Sequence, residues 1–64
     1  MDKEEAILAL LRGVYPNELT LDQLSEFAGY SKGYVTRLVM GLRDRGYLTM
    51  RWEGKDCYCK LFKG

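Results

Sequence analysis

The sequence predicts a small α+β domain in which three helices are followed by a C-terminal β-hairpin. Apolar residues recur at helical spacing in three segments before Gly46, and the pattern then changes to alternation over residues 47–62. The chain has 64 residues, 47% of them hydrophobic, which is enough for one compact core. We therefore expect residues 1–64 to form a single domain.

The first helix is predicted over residues 3–13. Ile7, Leu10 and Leu11 form its buried stripe, and acidic residues near its start suit the positive end of the helix dipole. Leu8 and Ala9 lie off that stripe, so they are expected either to be exposed or to contact a second subunit. Proline and asparagine at 16–17 end the helix.

A very short strand at residues 19–20 precedes the second helix, predicted over 21–28. Thr20, with Gln23 three residues later, forms a capping box at the start of this helix. Gly29 is expected to end the helix. The residues expected to face inward are Leu21, Leu24, Phe27 and Ala28. A third helix follows almost at once, which is the spacing of a helix-turn-helix.

The third helix is predicted over residues 32–45, between a capping Ser31 and Gly46. Its apolar stripe contains Val35, Leu38, Val39 and Leu42. Its opposite face and margins carry Lys32, Gly33, Thr36, Arg37, Met40, Arg43 and Asp44. Small and hydroxyl residues beside an arginine suit insertion into a DNA major groove. When this segment is considered in isolation, a solvated amphipathic helix is the alternative interpretation.

The hairpin is predicted over residues 47–62, with its turn at 53–56. Trp52 is expected to cover the small core, and Cys57 and Cys59 lie on one side of the second strand. The two thiols suit a core or strand surface, an intermolecular bridge or a shared metal. The complete predicted core is Ile7, Leu10, Leu11, Leu24, Phe27, Val35, Leu38, Leu42, Leu48 and Leu61.

The charge is unevenly distributed although the net charge is only +1. Residues 1–30 hold two basic and six acidic groups, which gives −4, and residues 31–64 hold eight basic and three acidic groups, which gives +5. Such polarity is typical of a protein with one phosphate-facing side. The chain has no histidine and no nucleophile–base pair, which argues against an enzyme and against a bound cofactor. Without a membrane-spanning run or a secretion signal, we expect a cytoplasmic protein.

The sequence over residues 19–62 resembles the winged helix-turn-helix of the MarR and ArsR type. The resemblance depends on Leu24 followed by Phe27-Ala28, on Ser31 followed by Val35-Thr36-Arg37, and on Leu42 followed by Gly46 at the exit into the hairpin. It implies a regulator of transcription that binds double-stranded DNA. Helix 32–45 would enter the major groove, and the wing at 51–60 would contact the backbone or minor groove.

The DNA-binding residues expected on this basis are Ser31, Lys32, Gly33, Tyr34, Thr36, Arg37, Met40, Arg43, Arg51, Lys55 and Lys60. For Arg37 the alternative is a surface ion pair with Asp44 or Glu26, and for Tyr34 it is packing against the first helix. The chain lacks the long flanking helices through which MarR-type proteins dimerise. A homodimer would therefore use the first helix, at Leu8, Ala9 and Arg12, or Phe62. No motif identifies a small-molecule effector. A winged-helix protein-interaction module is the alternative function, and double-stranded RNA or left-handed DNA is a further possible ligand.

Overall fold

A computed structural model describes residues 2–62 of the chain. Its elements are α1 (Lys3–Val14), β1 (Leu19–Thr20), α2 (Leu21–Ala28), α3 (Lys32–Asp44), β2 (Leu48–Glu53) and β3 (Asp56–Leu61). The predicted order of helix, short strand, two helices and hairpin is confirmed.

Local capping interactions set the helix boundaries. Thr20 and Gln23 form the predicted capping box: the Thr20 hydroxyl accepts from the Gln23 N–H at 3.1 Å, and the Gln23 amide oxygen accepts from the Thr20 N–H at 2.9 Å. The Ser31 hydroxyl accepts from the Tyr34 N–H at the start of α3. Gly29 and Gly46 follow the ends of α2 and α3 with φ of 77° and 85°, a backbone conformation that disfavours other residues.

The three strands form one antiparallel sheet in the order β1-β3-β2. Leu19 of β1 pairs with Cys59, which also lies opposite Met50 of β2. The central strand β3 therefore joins the hairpin to the segment that precedes α2. This arrangement fixes the hairpin beside the helix-turn-helix.

The core lies between the helices and one face of the sheet. Six of the predicted core residues are buried, and Leu10, Leu38 and Leu61 are half-buried against them. Both cysteines are buried, as the core interpretation of this pair predicted. The buried set is Ile7, Leu8, Leu11, Leu19, Leu21, Leu24, Val35, Val39, Leu42, Leu48, Cys57 and Cys59.

Three expectations about burial were wrong. Leu8 is buried rather than exposed, because α1 packs against α2, α3 and β3. These contacts bury a wider part of the helix surface than the predicted apolar stripe. Phe27 is 58% exposed, because α2 turns Leu21, Leu24 and the small Ala28 towards the core. Trp52 is 63% exposed, because the distal half of β2 extends beyond the core.

Candidate nucleic-acid interface

The first turn of α3 lies at the surface. Ser31, Lys32 and Gly33 are all exposed, and only Gly29 and Tyr30 separate the cap of this helix from the end of α2. A hydrogen bond fixes this short connection to α2, because the Ser25 hydroxyl donates to the Tyr30 carbonyl at 2.5 Å. The amino-terminal turn of α3 is therefore exposed to solvent.

Arg37 lies in the middle of the exposed face of α3, together with Gly33 and Met40. This face is opposite the buried Val35 and Val39, as the helical spacing predicts. Within residues 2–62, Arg37 makes no ion pair and no side-chain hydrogen bond. Neither predicted alternative partner binds it, and Asp44 is instead paired with Arg43 at 3.3 Å.

The predicted contact residues Thr36 and Tyr34 already have intramolecular interactions. The Thr36 hydroxyl donates to the Lys32 carbonyl at 2.7 Å, which leaves its methyl group and its oxygen lone pairs for a ligand. The half-buried Tyr34 ring meets the Tyr30 ring edge-on at 5.6 Å, and the Lys3 ammonium lies 5.3 Å from its centre. Tyr34 therefore packs towards the start of α1, which is the alternative given for it above.

The flanking cations of α3 are paired with acids. Lys32 Nζ lies 3.0 Å from Asp22 Oδ1 on α2. Arg43 contacts Asp44 and also donates to the Met50 sulfur at 3.7 Å, which connects α3 to β2. A phosphate binding at either position would have to compete with a solvent-exposed ion pair of small energy.

The hairpin tip presents Lys55, a cation with no ion pair in the described part of the chain. Gly54 has a φ of 62° as the first central residue of a two-residue turn, where positive φ suits a type II′ hairpin. Lys55, the second central residue, is exposed and forms no ion pair within the described residues. Lys60, on β3, is half-buried and likewise has no acid within ion-pair distance in the described part of the chain.

Arg51, in contrast, belongs to an anchored cluster that sequence reasoning missed. Its Nη2 and Nε lie 2.7 and 3.2 Å from the two carboxylate oxygens of Glu18, and its Nη1 lies 2.6 Å from Glu53. The guanidinium also lies 4.6 Å from the centre of the Tyr58 ring. The hydrogen bond from Arg51 lowers the pKa of Glu18. Arg51 thus connects the hairpin to the segment before β1, and a pair separated by 33 positions leaves no local signal in the sequence.

The cysteines lie on the inner face of β3, away from this surface. Burial and the neighbouring Cys57 thiol raise the pKa of Cys59 to about 12, which disfavours the reactive thiolate. Residues 2–62 contain no group of three or more histidine, cysteine, aspartate or glutamate side chains arranged to hold a metal. None of the helices described is long and apolar enough to cross a membrane.

Known structures share this arrangement of helices and hairpin. Reduced HlyU from Vibrio cholerae N16961 superposes with a TM-score of 0.85 at 24% identity, covering 98% of this chain and 63% of that one. The PcaV transcriptional regulator from Streptomyces coelicolor, in complex with its natural ligand, gives 0.86 at 21% identity and covers 98% and 45%. AF1382 from Archaeoglobus fulgidus gives 0.79 at 11% identity and covers 95% and 68%. No protein-family model and no curated protein matches the sequence.

The fold is a winged helix-turn-helix. The predicted fold is therefore confirmed, with α3 as the second helix of the helix-turn-helix and the β2–β3 hairpin as the wing. This chain spans about three-fifths of the HlyU chain and less than half of the PcaV chain. Among the predicted contact residues, the cations that have no acidic partner within residues 2–62 are Arg37 on α3 and Lys55 and Lys60 on the wing.

Proposed function

We propose that this chain binds double-stranded DNA in a sequence-specific manner and regulates transcription. The exposed face of α3 would enter the major groove, and the wing would contact the backbone or minor groove. The observation that carries the proposal is Arg37, which has no ionic partner within residues 2–62 and lies between the small Gly33 and the exposed Met40 on the outer face of α3.

The proposed role of Arg37 follows from the geometry of its side chain. A guanidinium forms two parallel hydrogen bonds with the O6 and N7 of guanine, and each such pair discriminates by about 1–3 kcal/mol. Because Arg37 has no partner within residues 2–62, it loses no ion pair when it enters a groove. Gly33, one turn earlier, leaves room for close approach of the DNA, since no atom lies within 4 Å of the position that a Cβ would take there.

Lys55 has a different proposed role. It lies at the tip of the wing and has no acidic partner within residues 2–62, and a lysine ammonium contacts phosphate as a point charge. Lys32 and Arg43 would exchange their exposed acidic partners for phosphates. Arg51 would act by holding the wing in place, because its guanidinium is already occupied by Glu18 and Glu53.

A cytoplasmic homodimer is part of the same proposal. A single recognition helix contacts only a few base pairs, whereas two-fold pairing doubles the contacts and fixes the half-site spacing. Leu8 is buried within the monomer, which leaves Ala9 and Phe62 as the exposed apolar residues among those first considered for a dimer contact.

One observation favours a protein-interaction module instead. Phe27 and Trp52 are 58% and 63% exposed and unusually large for solvent-facing side chains. Such residues anchor protein–protein interfaces. The two functions differ in their response to salt and to loss of Arg37.

Selection of binding sites from random DNA duplexes at two salt concentrations tests the proposal. Because each phosphate contact releases counterions, affinity should fall steeply with salt. Arg37→Ala should cost about 1–3 kcal/mol and abolish preference among sites. Lys55→Ala should weaken binding to all duplexes alike and reduce the salt slope by about one contact.

Arg45→Ala provides a matched control. Arg45 is an exposed arginine directly after α3 that pairs with Glu4 on α1, so its loss should leave site preference unchanged. An enriched motif, in the form of an inverted repeat, supports a transcription regulator. Absence of any salt-sensitive duplex binding by the wild-type protein would favour the protein-interaction module.

A further inference from the structure

Strand β2 is an open edge of the sheet. It pairs with β3 on one side and with no other strand within residues 2–62. The Phe62 N–H donates to the Tyr47 carbonyl at 3.1 Å, so 47/62 is a hydrogen-bonded pair, and the continuous register repeats this at every second residue. The main-chain N–H and C=O groups of Leu48, Met50 and Trp52 therefore point away from β3.

An exposed tryptophan and an apolar groove lie along this same edge. Trp52 is 63% exposed near the wing tip, on the face of β2 that also carries Leu48 and Met50. An open groove of about 360 Å³ runs beside the start of β2. It is lined by Arg43, Gly46, Leu48, Thr49, Met50 and Phe62. One end of the edge thus offers a large apolar side chain, and the other offers an apolar recess.

We propose that two copies of this chain pair antiparallel along β2, about a two-fold axis at Met50. Leu48 of each copy then lies opposite Trp52 of the other, and the two Met50 residues face one another. The outward main-chain groups of all three residues are satisfied by the partner. Each Trp52 side chain is carried to the groove beside the other copy's Leu48.

The register is specified by hydrogen bonding and charge. A two-fold pairing centred on Thr49 would form only two hydrogen-bonded residue pairs between the two β2 strands, whereas the pairing centred on Met50 would form three. A pairing centred on Arg51 places the two Arg51 residues directly opposite each other, and like charges across a strand pair are destabilising. In the proposed register Arg51 faces Thr49, and no like charges face each other within the paired strands.

The pairing also limits the assembly to a dimer. The same edge serves both copies, so the contact is isologous and ends at a dimer. The six-stranded sheet that results has β1 at both outer edges, and β1 has only two residues, too few to template further strands. The inference does not depend on DNA binding and is tested in its absence.

Trp52 is the sole tryptophan of the chain, so its fluorescence reports the interface directly. Sedimentation of the full chain over a dilution series should show a monomer–dimer equilibrium. The tryptophan emission should shift to the blue with the same concentration dependence. Trp52→Ala should raise the dimer dissociation constant by about tenfold or more, the loss expected for an aromatic anchor.

Phe27→Ala is the matched control, because it removes an equally exposed aromatic side chain from α2, away from the β2 edge. It should leave the dissociation constant unchanged. In a second edge variant, Met50→Lys, two ammonium groups would meet at the two-fold axis and abolish the dimer. Unchanged far-ultraviolet circular dichroism would show that each variant folds.

The proposal is overturned by a monomer with unshifted emission up to near-millimolar protein. It is equally overturned by a dimer that survives Trp52→Ala and Met50→Lys, since that dimer would use another surface. If the edge bound only an added extended peptide and never a second copy, β2 would be an acceptor for a different protein and the self-pairing would be wrong.

Discussion

Gly41 in the interior of α3 allows a quantitative test of how closely α1 and α3 pack. A Cβ built on Gly41 would have Glu4 Oε2 at 3.9 Å as its nearest neighbour, which is an ordinary van der Waals contact. Glycine in a helix interior costs about 0.8–1.0 kcal/mol relative to alanine. Gly41→Ala should therefore raise the free energy of unfolding by about 1 kcal/mol, or the midpoint temperature by about 4–8 °C for a domain of this size.

Gly46→Ala is the control with the opposite expected sign. Gly46 has a φ of 85° at the end of α3, and its N–H donates to the Arg43 carbonyl at 2.9 Å. A left-handed conformation costs other residues about 1–2 kcal/mol, so this variant should lose about that much stability. Urea and thermal unfolding followed by circular dichroism would measure both variants.

A loss of stability in Gly41→Ala would contradict this argument, because it would mean that α1 approaches α3 more closely than the 3.9 Å contact allows. The same variant also tests whether a DNA sugar-phosphate backbone approaches α3 at Gly41. If Gly41→Ala stabilises the fold but weakens duplex binding, a sugar-phosphate backbone is the neighbour that favours glycine. If both properties improve or stay constant, no close neighbour requires it.

Three further predictions concern a helix cap, the buried thiols and the wing anchor. Thr20→Ala should lower the unfolding free energy by about 1 kcal/mol in urea titrations, because α2 loses its capping hydroxyl, and an unchanged value would show that the cap is dispensable. Cys57 and Cys59 should resist alkylation in the folded protein and react in urea, and mass spectrometry showing rapid native modification would contradict their burial. The pKa of Glu18 is lowered from its ordinary value of 4.5, so ionised Glu18 stabilises the fold above that pH, and the free energy of unfolding should decrease as the pH falls through and below it. The decrease should be smaller in Glu18→Gln. Parallel pH profiles of the two proteins would show that the contact with Arg51 adds no stability.

The helix boundaries could be predicted from the sequence because their determinants are local. The Thr20 capping box, the Ser31 cap and the glycines at 29 and 46 each act within a few residues of the helix end. The change from helical spacing to alternation after Gly46 is equally local. These signals predicted the order of elements and the confirmed winged-helix fold.

The orientation of each element depended on tertiary packing and was predicted less well. Periodicity placed both Phe27 and Ala28 on the inward face of α2, but only Ala28 packs against the core, and no local signal distinguishes the two residues. Leu8 is buried because α1 meets several elements at once. Trp52 is exposed because the distal half of β2 extends beyond the core, and no residue near Trp52 in the sequence signals where the core ends.

In the candidate interface, too, some features follow from the local sequence and others depend on tertiary contacts. The exposed face of α3 follows from helical spacing, so Gly33, Arg37 and Met40 were correctly predicted to be exposed. Which cations are available to a ligand depends on distant partners. Asp22 binds Lys32 and Glu18 binds Arg51, and only the folded chain brings these acids close. The contact residues themselves stay predictions.

Nuclear magnetic resonance chemical-shift mapping with a selected duplex tests the central claim most directly. The backbone amides of the described residues can be followed individually while the duplex is added at low salt. We predict the largest shifts from Ser31 to Met40, with a second group around Lys55 at the wing tip, and reversal of both as salt is raised. Shifts confined to α1, or no shifts at saturating duplex, would contradict the assignment of α3 as the helix that binds DNA.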